Sequence, residues 1–311
     1  MKKFAWLIKR ELWEHKDGFV IAPLIVSLLL VGVMSAWVFA RVVLHSNIGL
    51  YINHVAATIS TSQLNASQLD AIRSSISGGY SFISFLLFGL NGFVVFFYCL
   101  GSLFDERKDS SILFWKSLPT SDASTVLSKV VTATMVAPLI TFAITTITVI
   151  ILMVLAAIAL GGSGQSVTPL LTADFVQLPI KAMAILPIQM LWAMATVGWL
   201  MMISSMAKSK PFLLAVGIPI LSLVLLGIIN SSFKLGLPMK VLTNFAFRLL
   251  LSTIPGSWNL LAEANHANES LGAYIIQEWS NSSFHGLWQG VVTGAVMIYI
   301  AIRMRQRAVE V

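Results

Sequence analysis

Pro211-Phe212-Leu213-Leu214-Ala215-Val216-Gly217-Ile218-Pro219-Ile220-Leu221-Ser222-Leu223-Val224-Leu225-Leu226-Gly227-Ile228-Ile229 runs for 19 residues without a charge. As a helix it would be roughly 28 Å long at 1.5 Å per residue, close to the ~30 Å hydrocarbon core of a bilayer. Working outward, five more stretches reach spanning length: Phe19 to Leu44, Tyr80 to Phe104, Val126 to Leu160, Ile180 to Ala207 and Gly286 to Ile302. Composition agrees with this reading. Apolar residues make up 57% of the 311 positions and charged residues 11%, with a mean hydropathy of +0.85. A soluble domain carries roughly 25% charged residues, because its surface must face water. The expected fold is therefore an all-α membrane protein with about six transmembrane helices, forming a single transmembrane domain over residues 1–311.

The distribution of charge sets an orientation. Of the 20 Lys and Arg residues, 14 fall on one side when the N-terminus is placed in the cytoplasm. They include Lys2, Lys3, Lys9, Arg10 and Lys16, then Arg107, Lys108, Lys116 and Lys129, then Lys208 and Lys210, and Arg303, Arg305 and Arg307 in the tail. The remaining six, Arg248 among them, are spread over longer loops on the other side. The positive-inside rule then puts both termini in the cytoplasm of a multi-pass protein of the cell membrane. The formal charge of +7 is thereby an orientation signal, and no nucleic-acid partner is expected. The single cysteine, Cys99, excludes an intramolecular disulfide, and no cleavable signal peptide is evident.

Three segments outside the spans have a character of their own. Residues 1–17 read as an interfacial helix, with Phe4, Ile8 and Leu12 stacked, Trp6 and Trp13 on a second face, and Glu11 close to the apolar stripe. Residues 105–122 form a charged and aromatic segment. Ile112, Trp115 and Leu118 make a short helical stripe in it, Pro119 ends that helix, and Thr120, Ser121 or Asp122 is placed to cap the next. Residues 231–285 form an outer loop, in which Val241 to Leu251 and Ser257 to Ala262 are apolar but too short to cross. The Pro255-Gly256 break between them suits short re-entrant helices before the last span.

Inside the spans no ionisable residue lies near mid-membrane, which disfavours a proton- or ion-driven carrier. No acid, base and nucleophile converge, so an enzyme is not expected. The five histidines lack metal-ligand spacing, so no metal site is expected either. Asn91, between Gly89 and Gly92, must find a hydrogen-bond partner or face a wet cavity. Thr134, Thr141, Thr145 and Thr148 share one helical face, where they either line a path or bond back to their own helix. Asn91, Thr141 and Thr145 are the pathway candidates. Gly286, Gly290 and Gly294 repeat every four residues and allow close helix packing, within the chain or across a dimer seam.

The stretch Glu106 to Ser121, with Lys129 opening the third span, resembles the type-2 family of ABC-transporter permeases, in which an "ER…G/S…L…LP.S…K" pattern recurs at this place. Ser110-Ser111 stands where many members have Gly-Thr. The resemblance extends over most of the chain by topology and by residues rests on Glu106 to Lys129. It implies a permease subunit, with an exporter favoured, that pairs with a second permease copy or a homologous permease. It also implies a separate cytoplasmic ATPase subunit that binds ATP and Mg. The coupling residues would be Glu106, Arg107, Ser110, Ile112, Trp115 and Leu118. The chain itself has no Gly-x-x-x-x-Gly-Lys-Ser/Thr loop to cradle phosphates. Its nearest approach, Gly161 to Ser166, lacks the lysine, so no cofactor is expected in this chain. A membrane scaffold or sensor subunit without transport, and a gradient-driven transporter, are the alternatives. The mostly apolar spans incline the expected cargo towards a hydrophobic or amphipathic molecule.

Overall fold

A computed structural model describes residues 2–43, 66–109, 121–162, 173–254, 276–277, 279–280 and 286–307, and every regular element among them is helical. In chain order these are α1 (Lys2–Glu14), a π-helical turn (Asp17–Ile21), α2 (Ala22–Val43), α3 (Ala66–Ser102) and the short α4 (Phe104–Lys108). There follow α5 (Asp122–Val131), a second π-helical turn (Thr132–Val136), α6 (Ala137–Gly162) and α7 (Ala173–Met206). The last three are α8 (Pro211–Phe233), α9 (Met239–Leu251) and α10 (Leu287–Arg307).

Six helical stretches among the described residues are long and apolar enough to cross a membrane: Asp17–Ala40, Gly78–Lys108, Asp122–Ile158, Pro179–Met206, Pro211–Phe233 and Leu287–Arg307. The chain is an all-α membrane protein. In Pro211–Phe233 only 11% of the apolar window is buried. Its exposed faces carry Leu213, Leu221, Leu225 and Ile228. Apolar surface so extensive belongs against lipid or another chain, not water. Pro219 inside this helix leaves the Ala215 carbonyl without its usual helical donor, and Trp199 Nε1 of α7 donates to that carbonyl at 3.0 Å. The helix is entered from Lys210 and left through Lys234, both in the left-handed region with φ of 48° and 50°, and Pro211 occupies its first turn.

Contacts divide the chain into two compact units whose boundaries fall within or beside helices. One comprises Met1–Phe19, Phe88–Leu139 and Ile185–Val311, and the other Val20–Leu87 and Ile140–Ala184. In the second unit Tyr80, Leu87, Ile144 and Val149 are buried, and a 2.5 Å hydrogen bond joins the hydroxyls of Ser27 on α2 and Thr148 on α6. In the first unit, Ile188, Trp192 and Leu287 form a fully buried cluster. There α7 and α10 cross so closely that a Cβ on Gly198 would lie 2.5 Å from the Gly294 carbonyl oxygen, and one on Gly294 would strike the Met194 carbonyl. The same unit holds α1 against α5 and α5 against α10.

Segment 105–122 is described at both ends. Its first end is α4, separated from α3 by a turn at Leu103. At its other end Ser121 caps α5, accepting a hydrogen bond from the Ser124 amide at 3.2 Å. Residues 110–120, and with them the expected coupling positions Ser110, Ile112, Trp115 and Leu118, lie outside the described residues. So does Ser257 to Ala262, whereas the apolar run Val241 to Leu251 forms most of α9.

Candidate functional site

The first unit contains a ladder of charges of alternating sign. On α1, Leu7 and Glu11 lie four residues apart on the buried face, at 3% and 0% exposure. A carboxylate on the stripe that packs inward must be matched by a cation and hydrogen bonds. Three groups meet that need. Arg10 Nη2 donates to Glu11 Oε1 at 2.5 Å, while Lys129 Nζ and the Tyr98 hydroxyl each reach Glu11 Oε2 at 3.0 Å. Lys129, buried on α5, also pairs with Glu106 Oε1 of α4 at 3.2 Å. Glu106 Oε2 in turn accepts from Arg305 Nη1 near the end of α10, and Arg305 Nε donates to Asp122 Oδ1 at 3.0 Å. Thus Arg10, Glu11, Lys129, Glu106, Arg305 and Asp122 alternate in sign and tie α1, α4, α5 and α10 together.

Burial alone would raise the Glu11 pKa, but Lys129 and Arg10 outweigh it and hold the carboxyl below its ordinary value of 4.5. His15 follows on the next turn, edge-on to Tyr98 at 4.8 Å between ring centroids. Burial, helped by Lys129, lowers its pKa below 6.5, against the opposing pull of Glu11. Glu11, Glu14 and His15 bring ligand-type atoms within 4.8 Å of one another. Glu11 is nevertheless engaged on both oxygens by Arg10, Lys129 and Tyr98, and a divalent ion there would meet two cations already in place.

Glu106 and Arg107, neighbours in sequence, serve different neighbours in space. Arg107 Nη2 donates to the carbonyls of Ser204 and Ala207, at 2.5 and 3.0 Å, and so caps the end of α7. Ser204 Oγ accepts from the Leu103 and Phe104 amides at 3.1 and 3.0 Å, which satisfies the turn between α3 and α4. The start of the expected coupling segment is therefore keyed into α7 through Arg107 and into the ladder through Glu106.

A second polar cluster surrounds the end of α9. Arg248 lies 4.0 Å over the Trp192 ring and donates to the carbonyls of Gly286 and Leu287, at 2.5 and 3.1 Å. Burial lowers its pKa from 12.5 to about 10, so it stays charged at neutral pH. From one face of α7, Thr196 Oγ1 donates to the Arg248 carbonyl at 2.9 Å and accepts from the Ser252 amide at 3.0 Å. Gln189 Nε2 donates to the Ser252 and Thr253 carbonyls, both at 3.2 Å.

The three glycines at four-residue spacing occupy three different environments. Gly286 has a φ of 91° and starts α10 from the left-handed region. Gly290 leaves the space that the Arg248 guanidinium fills, and Gly294 faces the α7 backbone at Met194. The close approach at Gly294 is made within the chain. Of the pathway candidates, Asn91 is 4% exposed, and its Oδ1 takes no hydrogen bond among the described residues. Beside it, a Cβ on Gly92 would lie 2.9 Å from the Thr253 carbonyl oxygen. Thr145 bonds back to the Thr141 carbonyl at 2.8 Å, and Thr134 and Thr148 bond back in the same way. The Thr141 hydroxyl has no hydrogen-bond partner among the described residues.

From the sequence Glu11 is only a residue close to an apolar stripe, Arg305 an orientation marker, and Arg248 part of a long outer loop. The expected stripe of Phe4, Ile8 and Leu12 is only half-buried, and the buried positions of α1 are Leu7 and Glu11, one residue off it. For Arg305 the signal is that Ile298, Ala301 and Arg305 fall at helical spacing and are all buried. Comparison of the chain with protein-family models, curated proteins and solved structures returned no match.

Proposed function

We propose that this protein is the membrane-spanning permease subunit of an ATP-driven transporter of the ABC type, working with a separate cytoplasmic ATPase and a second permease subunit. One observation carries the reading. The two described ends of the 105–122 segment, Glu106 and Asp122, both grip Arg305 of α10, and Glu106 also grips Lys129 of α5, which grips Glu11 of α1. A displacement of residues 110–120 by a docked partner would therefore reach four helices through short ionic contacts. Buried pairs have a steep dependence on geometry, because losing one partner strands a charge in a low-dielectric site. Such a junction suits a part that must transmit motion. The resemblance of Glu106 to Lys129 to the permease pattern supplies the identity of the pusher. In this reading both termini face the cytoplasm of the cell membrane, and the chain, lacking a phosphate-binding loop, takes its energy from the partner.

The test is mild solubilisation of the tagged full-length protein from its native membrane, followed by identification of what co-purifies. An ABC-type ATPase is expected. Trp115→Glu or Leu118→Asp should remove it while the permease keeps its size-exclusion profile. Lys116→Cys in a Cys99→Ala background, where it is the one cysteine, should react with an impermeant thiol reagent only after the cytoplasmic face is opened. Undiminished ATPase recovery with both variants, or labelling from outside intact cells, would overturn the reading. The first result would leave a membrane scaffold as the better account.

A further inference from the structure

We infer that the first unit binds an amphipathic organic cation in the cavity between the π-helical turn after α1 and the α3–α4 junction. The cavity holds about 550 Å³, within the range of small-molecule sites, and its two kinds of wall fit one kind of ligand. One wall is aromatic: Phe93 and Phe97 are exposed there, while Phe19 and Tyr98 are buried. Phe93 and Phe97 lie 4.7 Å apart between centroids, and Phe19 and Tyr98 meet edge to face at 5.0 Å. The other wall is acidic, formed by Glu14, Asp17, Asp105, Glu106 and Asp109.

The charge balance of this cavity is one-sided. Its one lysine, Lys129, already bridges Glu11 and Glu106. Arg10, balanced by Glu11, approaches Glu14 only at 4.0 Å. His15, which also lines the cavity, has a neutral form favoured by burial. Asp17, Asp105 and Asp109 are exposed to the cavity and to solvent. Asp105 is turned towards the cavity's glycine, so that a Cβ on Gly101 would lie 2.5 Å from its Oδ2. On the facing side the π-helical turn brings Asp17, Gly18 and Phe19 to the same cavity, and such turns recur at functional sites.

The spacing along the second span completes the argument. Asp105, on α4, lies eight residues beyond Phe97 of α3, about 12 Å on at the helical rise. Phe93 and Phe97 are on the spanning stretch Gly78–Lys108 and Asp105 near its end. A ligand with an apolar body against the phenylalanines and a cationic head among the carboxylates matches both walls, with ring faces adding cation–π attraction. A zwitterionic lipid head would bring its phosphate against the same carboxylates, so the ligand is a net cation. The inference is independent of the transport reading.

The test uses the full-length protein in a non-ionic detergent and the fluorescent lipophilic cation rhodamine 6G, followed by fluorescence polarisation, with fluorescein as the anion. The wild type should bind the cation saturably and the anion not. Asp17→Asn with Asp105→Asn, both exposed and so compatible with folding, should weaken binding roughly ten-fold, two to five-fold per carboxylate. Phe97→Ala should weaken it about five-fold. Equal affinity of the double variant and the wild type, equal binding of fluorescein, or complete displacement of the dye by manganese ion would each overturn the assignment. The last would make the cavity a metal site.

Discussion

Helix α10 is held by an arginine at each end, and the two are held in different ways. Near its C-terminus Arg305 reaches the carboxylates of Glu106 and Asp122. At its N-terminus Arg248, from the last turn of α9, reaches the main-chain carbonyls of Gly286 and Leu287 and lies over Trp192. Arg248 lies at the carbonyl end of its own helix, where a cation is favoured. Carbonyl oxygens and a ring face carry no titrating charge, so that end is a fixed pin. The carboxylate end shares its anions among Lys129, Arg305 and Arg10, and a shift of any one is felt by the rest. The difference teaches that one helix can be anchored at one end and left responsive at the other, with the same side chain used for both.

The largest expected effect breaks the responsive end. Lys129→Met takes away the cation that Glu11 and Glu106 share, leaving Glu11 to Arg10 and Glu106 to Arg305, and removal of one partner from such buried pairs should cost about 3–5 kcal/mol of stability. Unfolding of the purified protein in detergent measures it. Adding Glu11→Gln should recover part of the loss, because the two residues are coupled. Were the double variant no more stable than the single one, the ladder would be a set of independent contacts and the contrast with the pin would collapse.

A smaller effect probes the pin. Gly290→Ala sets a methyl group where the Arg248 guanidinium lies, and overpacking of this kind costs about 1–3 kcal/mol. The same measurement should show a loss below that of Lys129→Met. The added methyl meets Arg248 and no member of the ladder, so in the proposed reading ATPase recovery should be unchanged by Gly290→Ala. A loss of the partner in that variant would show that the two ends act as one.

The spans were legible because hydropathy acts locally. A run such as Pro211 to Ile229 has one environment in which it is stable, and Pro211–Phe233 is indeed a helix with its apolar face exposed. The ladder was not legible, because ionic partners are chosen by packing. Glu11 and Lys129 are 118 residues apart, and Glu106 and Arg305 are 199 apart. Near the ends of spans, Lys129 and Arg305 carry the same sequence signature as residues that merely set orientation. Gly290 shows the same limit from the other direction. Its spacing indicated close approach, but whether a helix or a guanidinium fills the space is decided by α9, 42 positions earlier at Arg248.

The smallest effect is a dependence on pH that should belong to the responsive end alone. His15 is held below 6.5 in the folded protein by burial and Lys129. Between 6.5 and its folded value the unfolded chain therefore binds more proton. Stability is full above about 6.5 and declines as pH falls through that window. Glu11, held below 4.5, adds a second decline that begins near 4.5 and continues to its folded value. Arg248, with a pKa of about 10, contributes no slope between pH 5 and 9, since both states stay protonated there. Melting temperatures followed from pH 8 to pH 4 should show the first decline in the wild type and lose it in His15→Asn, with the lower one kept. Gly290→Ala should shift the whole curve down without changing its shape. A first decline that survives in His15→Asn would place the titrating group elsewhere, and a change of shape in Gly290→Ala would mean that the pin is itself responsive.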